Sequence, residues 1–148
     1  MKANRIWFKI DNHYLYEDFI FIEDENRVPK VVLLRDDLGN YYIGFVNATL
    51  DWEDWKHNES ILQRVSIDEL INYLQSDIGL QNLLKSKETT FRIKEKGNVY
   101  QDIVEVVDST YVDTYGWHDP AKLGELCKEQ EEYLDKLKEI KSRGVTQV

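Results

Sequence analysis

Val31-Val32-Leu33-Leu34-Arg35-Asp36-Asp37-Leu38-Gly39-Asn40-Tyr41-Tyr42-Ile43-Gly44-Phe45-Val46 sets two β-branched and aromatic runs on either side of a five-residue polar turn. Glycine and asparagine accept the positive φ that a short hairpin loop demands, so residues 31–35 and 41–46 predict an antiparallel pair. The same grammar extends outward. Residues 5–10 and 19–22 are strand-like runs bounded by Asp11-Asn12 and by the polar residues 23–26. Residues 61–65 follow the same pattern. A second hairpin is predicted where residues 89–94 and 99–107 bracket Lys96-Gly97-Asn98.

Two helical stretches interrupt or follow these strands. Ser66-Ile67-Asp68-Glu69 matches a capping box, in which serine accepts the N3 amide and the glutamate reaches back to the cap. Leu70, Ile71 and Leu74 continue it as an apolar stripe, and Asp77 is placed to cap a second short helix ending at Leu84. Asp119-Pro120 predicts the start of a long C-terminal helix, because proline at N1 forfeits no intrahelical bond. Gly144 suits its C′ position, with Lys141 and Arg143 near the negative end. The expectation is an α+β fold in a single domain, residues 1–148. An antiparallel sheet of about five to seven strands carries a two-helix insert, and a C-terminal helix packs on the sheet. Residues 1–118 form the β-rich body, 119–144 the helix and 145–148 a tail.

In heptads, Leu123, Gln130 and Leu137 fall at a, and Leu126, Tyr133 and Ile140 at d, with Cys127 and Leu134 widening the stripe. A stripe this wide suits a helix packed on its own sheet. It also leaves Leu123, Leu126, Tyr133, Leu137 and Ile140 as a candidate homodimer face. Cys127 on that stripe reads as a buried, inert thiol.

Composition bounds the function. Eighteen aromatic residues and 28 acids share 148 residues, with a net charge of -9. Residues 1–118 hold 13 basic and 21 acidic residues, whereas residues 119–148 are close to neutral. The acids cluster at Glu17-Asp18, Glu23-Asp24-Glu25, Asp36-Asp37, Asp51, Glu53-Asp54 and Asp68-Glu69. Such a surface repels phosphate backbones and disfavours direct nucleic-acid binding. It suits a basic protein partner, such as the nucleic-acid site of another protein, although net charge also serves solubility alone.

Cys127 is the only cysteine, so no intrachain disulfide forms, and a reducing cytoplasm is expected. Lys9 and Asp11 interrupt the first apolar stretch before a signal core is complete, and no run is long enough for a membrane helix. The sequons at Asn47 and Asn58 then carry no meaning.

Catalytic and metal motifs are missing: no HExxH, paired CxxC, EF-hand, Walker-type loop, GxGxxG or GxSxG occurs. No catalytic residue, cofactor or metal is therefore expected. His118-Asp119 beside Trp117 is a poor base and orienting pair, because Asp119 is needed as a cap. Asp36-Asp37-Leu38-Gly39-Asn40 lacks the ligands that follow in a calcium loop and reads as a turn. Asp102, Glu105 and Asp108 resemble an acidic nuclease strand but lack a following Glu-x-Lys.

The strongest contact candidate is Asp51, Trp52, Glu53, Asp54, Trp55 and His57, two tryptophans among acids. Exposed, they would make an interface hot spot. At i, i+3, Trp52 and Trp55 also suit a core plug. Tyr111, Tyr115 and Trp117 pose the same question.

The run from Val32 to Gly44, followed by Val65-Ser66-Ile67-Asp68-Glu69-Leu70, resembles a family of small uncharacterised bacterial domains. There a D-x-x-G-N-x-Y hairpin leads to a V-S-x-x-x-L strand-to-helix step. The resemblance covers residues 15–110 and implies the fold, with no activity attached. The Trp-rich stretch and the long terminal helix depart from it. Together these features favour a non-catalytic protein-binding module, in the style of an immunity protein or phage inhibitor. The alternative is a ligand-binding or enzymatic domain with a pocket between sheet and helices.

Overall fold

The computed structural model describes residues 5–23, 29–47, 59–96, 100–115 and 123–144. Seven strands follow one another in the sheet in chain order: β1 (Ile6–Ile10), β2 (His13–Glu23), β3 (Pro29–Arg35), β4 (Tyr41–Asn47), β5 (Glu59–Val65), β6 (Thr89–Lys94) and β7 (Ile103–Asp108). Every neighbouring pair is antiparallel. The helices α1 (Ile67–Leu74) and α2 (Leu80–Leu84) are inserted between β5 and β6. A 3-10 helix (Ser109–Thr114) follows β7, and α3 (Lys128–Gly144) ends the fold. The α+β architecture expected from the sequence is the one observed.

The turn that predicted the first hairpin forms around Asp36. Its carboxylate accepts the amides of Leu38 at 2.9 Å and Asn40 at 2.8 Å, and Gly39 takes φ +87°. The β3–β4 register runs unbroken from Val31↔Phe45 to Arg35↔Tyr41. Asp11 and Asn12, both at positive φ, close the tighter β1–β2 turn. β2 is longer than expected, because His13 to Asp18 is also strand. Register shifts between Glu17 and Phe19, and between Ile20 and Ile22, break the alternation that would have exposed it in the sequence.

Both faces of the central strands are buried, so those strands read as nearly continuous apolar runs. Val31, Leu33, Tyr41, Ile43, Ile61 and Val65 face the helices. Their alternates Val32, Leu34, Tyr42, Val46 and Leu62 face a second cluster, completed by Trp7, Phe8, Ile10, Leu15 and Ile93. Among the described residues, no helix packs on that second face. The sheet curls, and its first hairpin fills the concavity. Where the curl brings the hairpin to the β6–β7 connection, the Tyr14 and Tyr100 hydroxyls lie 3.1 Å apart. Lys9 Nζ stands 5.6 Å and 5.8 Å from their ring centroids.

The α1 capping box forms: Glu69 N–H donates to Ser66 Oγ at 3.1 Å, and Ser66 N–H to Glu69 Oε1 at 2.9 Å. Leu70, Ile71, Tyr73 and Leu74 are buried. For α2, Gly79 rather than Asp77 stands at the N-cap, and no side chain caps it. Buried Gln63 donates to Leu84 O at 3.0 Å and Thr89 O at 2.8 Å, tying the end of α2 to β6.

The largest departure is α3, which starts at Lys128. Asp119 and Pro120 lie outside the described residues, but residues 123–127 are not helical, and Gly124 takes φ +71°. Leu123 and Leu126 still pack, half-buried, on the helix-side cluster. The apolar spacing therefore continues through chain that is not helix. Cys127 is exposed rather than buried, because it precedes the first turn. β7 likewise starts at Ile103 rather than residue 99, and Gly97 and Asn98 lie outside the described residues.

Candidate functional site

Asp51, Trp52, Glu53, Asp54, Trp55 and His57 lie outside the described residues. Their anchors are described: Asn47 and Glu59, the last and first residues of β4 and β5, are register partners. Glu59 also centres a polar cluster. Its Oε1 accepts the Tyr111 hydroxyl at 2.7 Å, and its Oε2 accepts the Tyr115 hydroxyl at 2.8 Å. Arg92 Nε donates to the same carboxylate, and Arg92 Nη1 stands 3.5 Å from Glu105. The guanidinium lies 4.9 Å from the Tyr111 ring centroid, and Tyr115 meets Phe45 edge-on at 5.7 Å.

Backbone geometry explains the convergence. Glu59, Arg92 and Glu105 sit on adjacent strands with side chains on the helix-side face, and the 3-10 helix brings Tyr111 over them. Asp108 starts that helix by accepting Thr110 N–H at 2.9 Å. Sequence reading left Tyr111 and Tyr115 open and missed Glu59 and Arg92. No local pattern marks residues 33 and 52 positions apart as neighbours.

Protonation in the cluster is held away from neutrality. Burial pushes the Glu59 carboxyl up, but hydrogen bonds from Tyr111, Tyr115 and Arg92 outweigh it and hold it below its ordinary value. Burial, then the Glu59 carboxylate, raises Tyr111, and raises Tyr115 well beyond the tyrosine range. Burial opposes the charge on Arg92, and Glu59 outweighs that too. A general acid or base works best with a pKa near the operating pH. This arrangement surrounds an anion with donors.

Most described acids of the sequence clusters have work inside the molecule. Glu17 accepts the Trp7 indole N–H at 2.9 Å, and Asp18 accepts the Tyr133 hydroxyl. Asp36 builds its turn, and Asp37 meets His13 Nδ1 at 2.8 Å. Asp68 pairs with Lys141, and Glu69 with Lys87 at 3.1 Å. Burial raises the Asp36 carboxyl, but bonds from Asn40 and Leu38 bring it below its ordinary value. Glu23 is exposed, and Asp24, Glu25, Asp51, Glu53 and Asp54 lie outside the described residues.

The candidate dimer face divides. Tyr133 and Leu137 are buried in the chain's own core, Tyr133 stacking on Phe19 at 4.6 Å. Ile140 is half-buried, and Leu123 and Leu126 precede the helix. Between sheet and helices, Leu33, Ile43 and Ile61 meet Leu70, Leu74, Leu80 and Leu83 in a continuous buried cluster. In β7, Glu105 projects to the helix side and Val104 and Val106 to the other. Asp102, Glu105 and Asp108 therefore do not converge, and no group of three metal-ligating side chains is found among the described residues. Among those residues no helix is long and apolar enough to cross a membrane.

Fold and site together define an α+β protein on a curled seven-stranded antiparallel meander, with a half-buried anion knot on its helix side. No protein-family model matches the chain, and no curated protein and no solved structure does.

Proposed function

We propose that the chain is a small non-catalytic module that binds a protein partner with a basic surface, as an inhibitor or immunity-type protein does. Its contact surface is the stretch holding Asp51, Trp52, Glu53, Asp54, Trp55 and His57. The observation that carries this reading is the knot of Glu59 with Arg92, Tyr111 and Tyr115. It fixes the point at which that stretch rejoins the sheet, and its pKa shifts run against acid–base catalysis. The acids of the other described clusters mostly hold the fold together. The acids at 51, 53 and 54, which adjoin two tryptophans in the sequence, are therefore the charge we assign to a partner. A single cysteine and the absence of disulfides suit the cytoplasm.

Affinity capture from a bacterial lysate, with bound proteins identified by mass spectrometry, tests the proposal. A basic partner should be retained at low salt and released at high salt. Trp52→Ala with Trp55→Ala, and separately Asp51→Lys, Glu53→Lys and Asp54→Lys together, should each abolish retention. Retention unchanged by salt and by both variants would sink the reading. A thermal-shift response to nucleotides or metabolites would favour a ligand-binding or enzymatic domain in its place.

A further inference from the structure

β7 is an outer strand, and it pairs with β6 without a register shift, from Thr89↔Asp108 to Lys94↔Ile103. Its other flank has no strand partner among the described residues. An edge of this kind offers a row of free N–H and C=O groups to any extended chain. Proteins blunt such edges with lysine, proline, bulges or short length. β1, at the opposite edge, is blunted: it has five residues, a register shift between Ile6 and Phe8, and Lys9. β7 carries no lysine, proline or bulge, and leaves Val106 64% and Ile103 43% exposed.

Charge says what can dock there. Residues 97–121 hold five acids and no lysine or arginine. Three of the acids, Asp102, Glu105 and Asp108, lie in or next to β7. Each has a partner within the chain: Lys96 N–H, Arg92 and Thr110. An ionised carboxylate still keeps acceptor sites beyond one partner. The register puts Glu105 on the face with Arg92, and Val104 and Val106 on the face with Ile93 and Phe91. An incoming strand thus meets acid and aliphatic side chains in turn.

A second copy of β7 would set these acids against themselves, and like charges across a strand pair are destabilising. A strand alternating lysine or arginine with aliphatic residues satisfies both. We propose that β7 accepts an extended basic and aliphatic segment of a protein partner by strand addition. Main-chain bonds hold the segment, and the alternating side chains select it. This proposal does not rest on residues 51–57 and stands or falls without them.

Amide NMR titration of the isotopically labelled full chain tests it with three synthetic ten-residue peptides. One alternates lysine and valine, one alternates glutamate and valine, and one is the lysine peptide with two central prolines. The lysine–valine peptide should shift the β7 amides and slow their hydrogen exchange, and the other two should leave β7 unchanged. Val106→Lys, at an exposed position that tolerates charge, should weaken binding about tenfold or more. Ile103→Lys should do the same. Shifts that fall outside β7, an equal response to the proline peptide, or no response in β7 would each overturn the proposal. So would concentration-dependent self-association abolished by Val106→Lys, which would make the occupant a second copy. The triple lysine variant at 51, 53 and 54 should leave the β7 titration unchanged, so the two readings fail independently.

Discussion

Gln130 donates its side-chain amide to the Phe21 carbonyl at 2.8 Å, joining the first turn of α3 to β2. The same side chain accepts the Cys127 N–H at 3.0 Å, so one residue both caps the helix and docks it. Position 130 interrupts the apolar stripe for this reason. Gln130→Ala removes both bonds and should lower stability by about 1–2 kcal/mol, read from urea unfolding with an unchanged m-value.

Tyr73 is fully buried beside Phe21, and its hydroxyl has no hydrogen-bond partner among the described residues. Burial alone pushes its pKa above the tyrosine range. An unpaired buried hydroxyl costs about 1–3 kcal/mol, so Tyr73→Phe should be neutral or stabilising by about 1 kcal/mol. Calorimetry would then show the melting point raised by about 2–4 °C. A clear loss of stability would mean that the hydroxyl has a partner.

Glu59 sets an acid limit on the fold. Its folded pKa lies below the ordinary 4.5, so its stabilising effect is complete above about pH 4.5. It is lost as pH falls through the folded value, where the carboxylate takes up its proton. Glu59→Gln should lower stability near neutrality by about 1–2 kcal/mol. It should also flatten the decline below about pH 4.5. Asp36 and Glu69, lowered as well, keep part of that decline in the variant. Unfolding midpoints across the acid range give the comparison.

Gly44 permits the close packing inside the curl. A Cβ there would lie 3.1 Å from Leu62 Cδ2 and 3.3 Å from Val32 Cγ2, side chains of the two flanking strands. Gly44→Ala should cost about 1–3 kcal/mol through overpacking, and Gly44→Val more. Both effects should appear in chemical denaturation.

Much of this fold was legible in its local grammar. Asp36, Gly39 and Asn40 announced the β3–β4 turn because each bond in it spans no more than four residues. Ser66 and Glu69 announced α1 for the same reason. The start of α3 was misread because Leu123 and Leu126 keep helical spacing while packing in non-helical chain. Periodicity reports which side chains are buried, and not the backbone that buries them. Cys127 was misplaced by the same error.

The sequence by itself determined the α+β class, most of the strands, the hairpin pairing of β3 with β4 and the excess of acid, since these depend on neighbours along the chain. Tertiary structure decided the rest. Curling the sheet brought Tyr14 to Tyr100 and enclosed a second apolar cluster beneath the first hairpin. Folding of the 3-10 helix over β5 and β6 assembled Glu59, Arg92, Tyr111 and Tyr115. Tertiary packing elsewhere turned clustered acids such as Glu17, Asp18, Asp68 and Glu69 into internal ties. The physical reason is range: turns and caps are closed by hydrogen bonds a few residues long. A carboxylate finds its distant donors only when packing has removed the water between them.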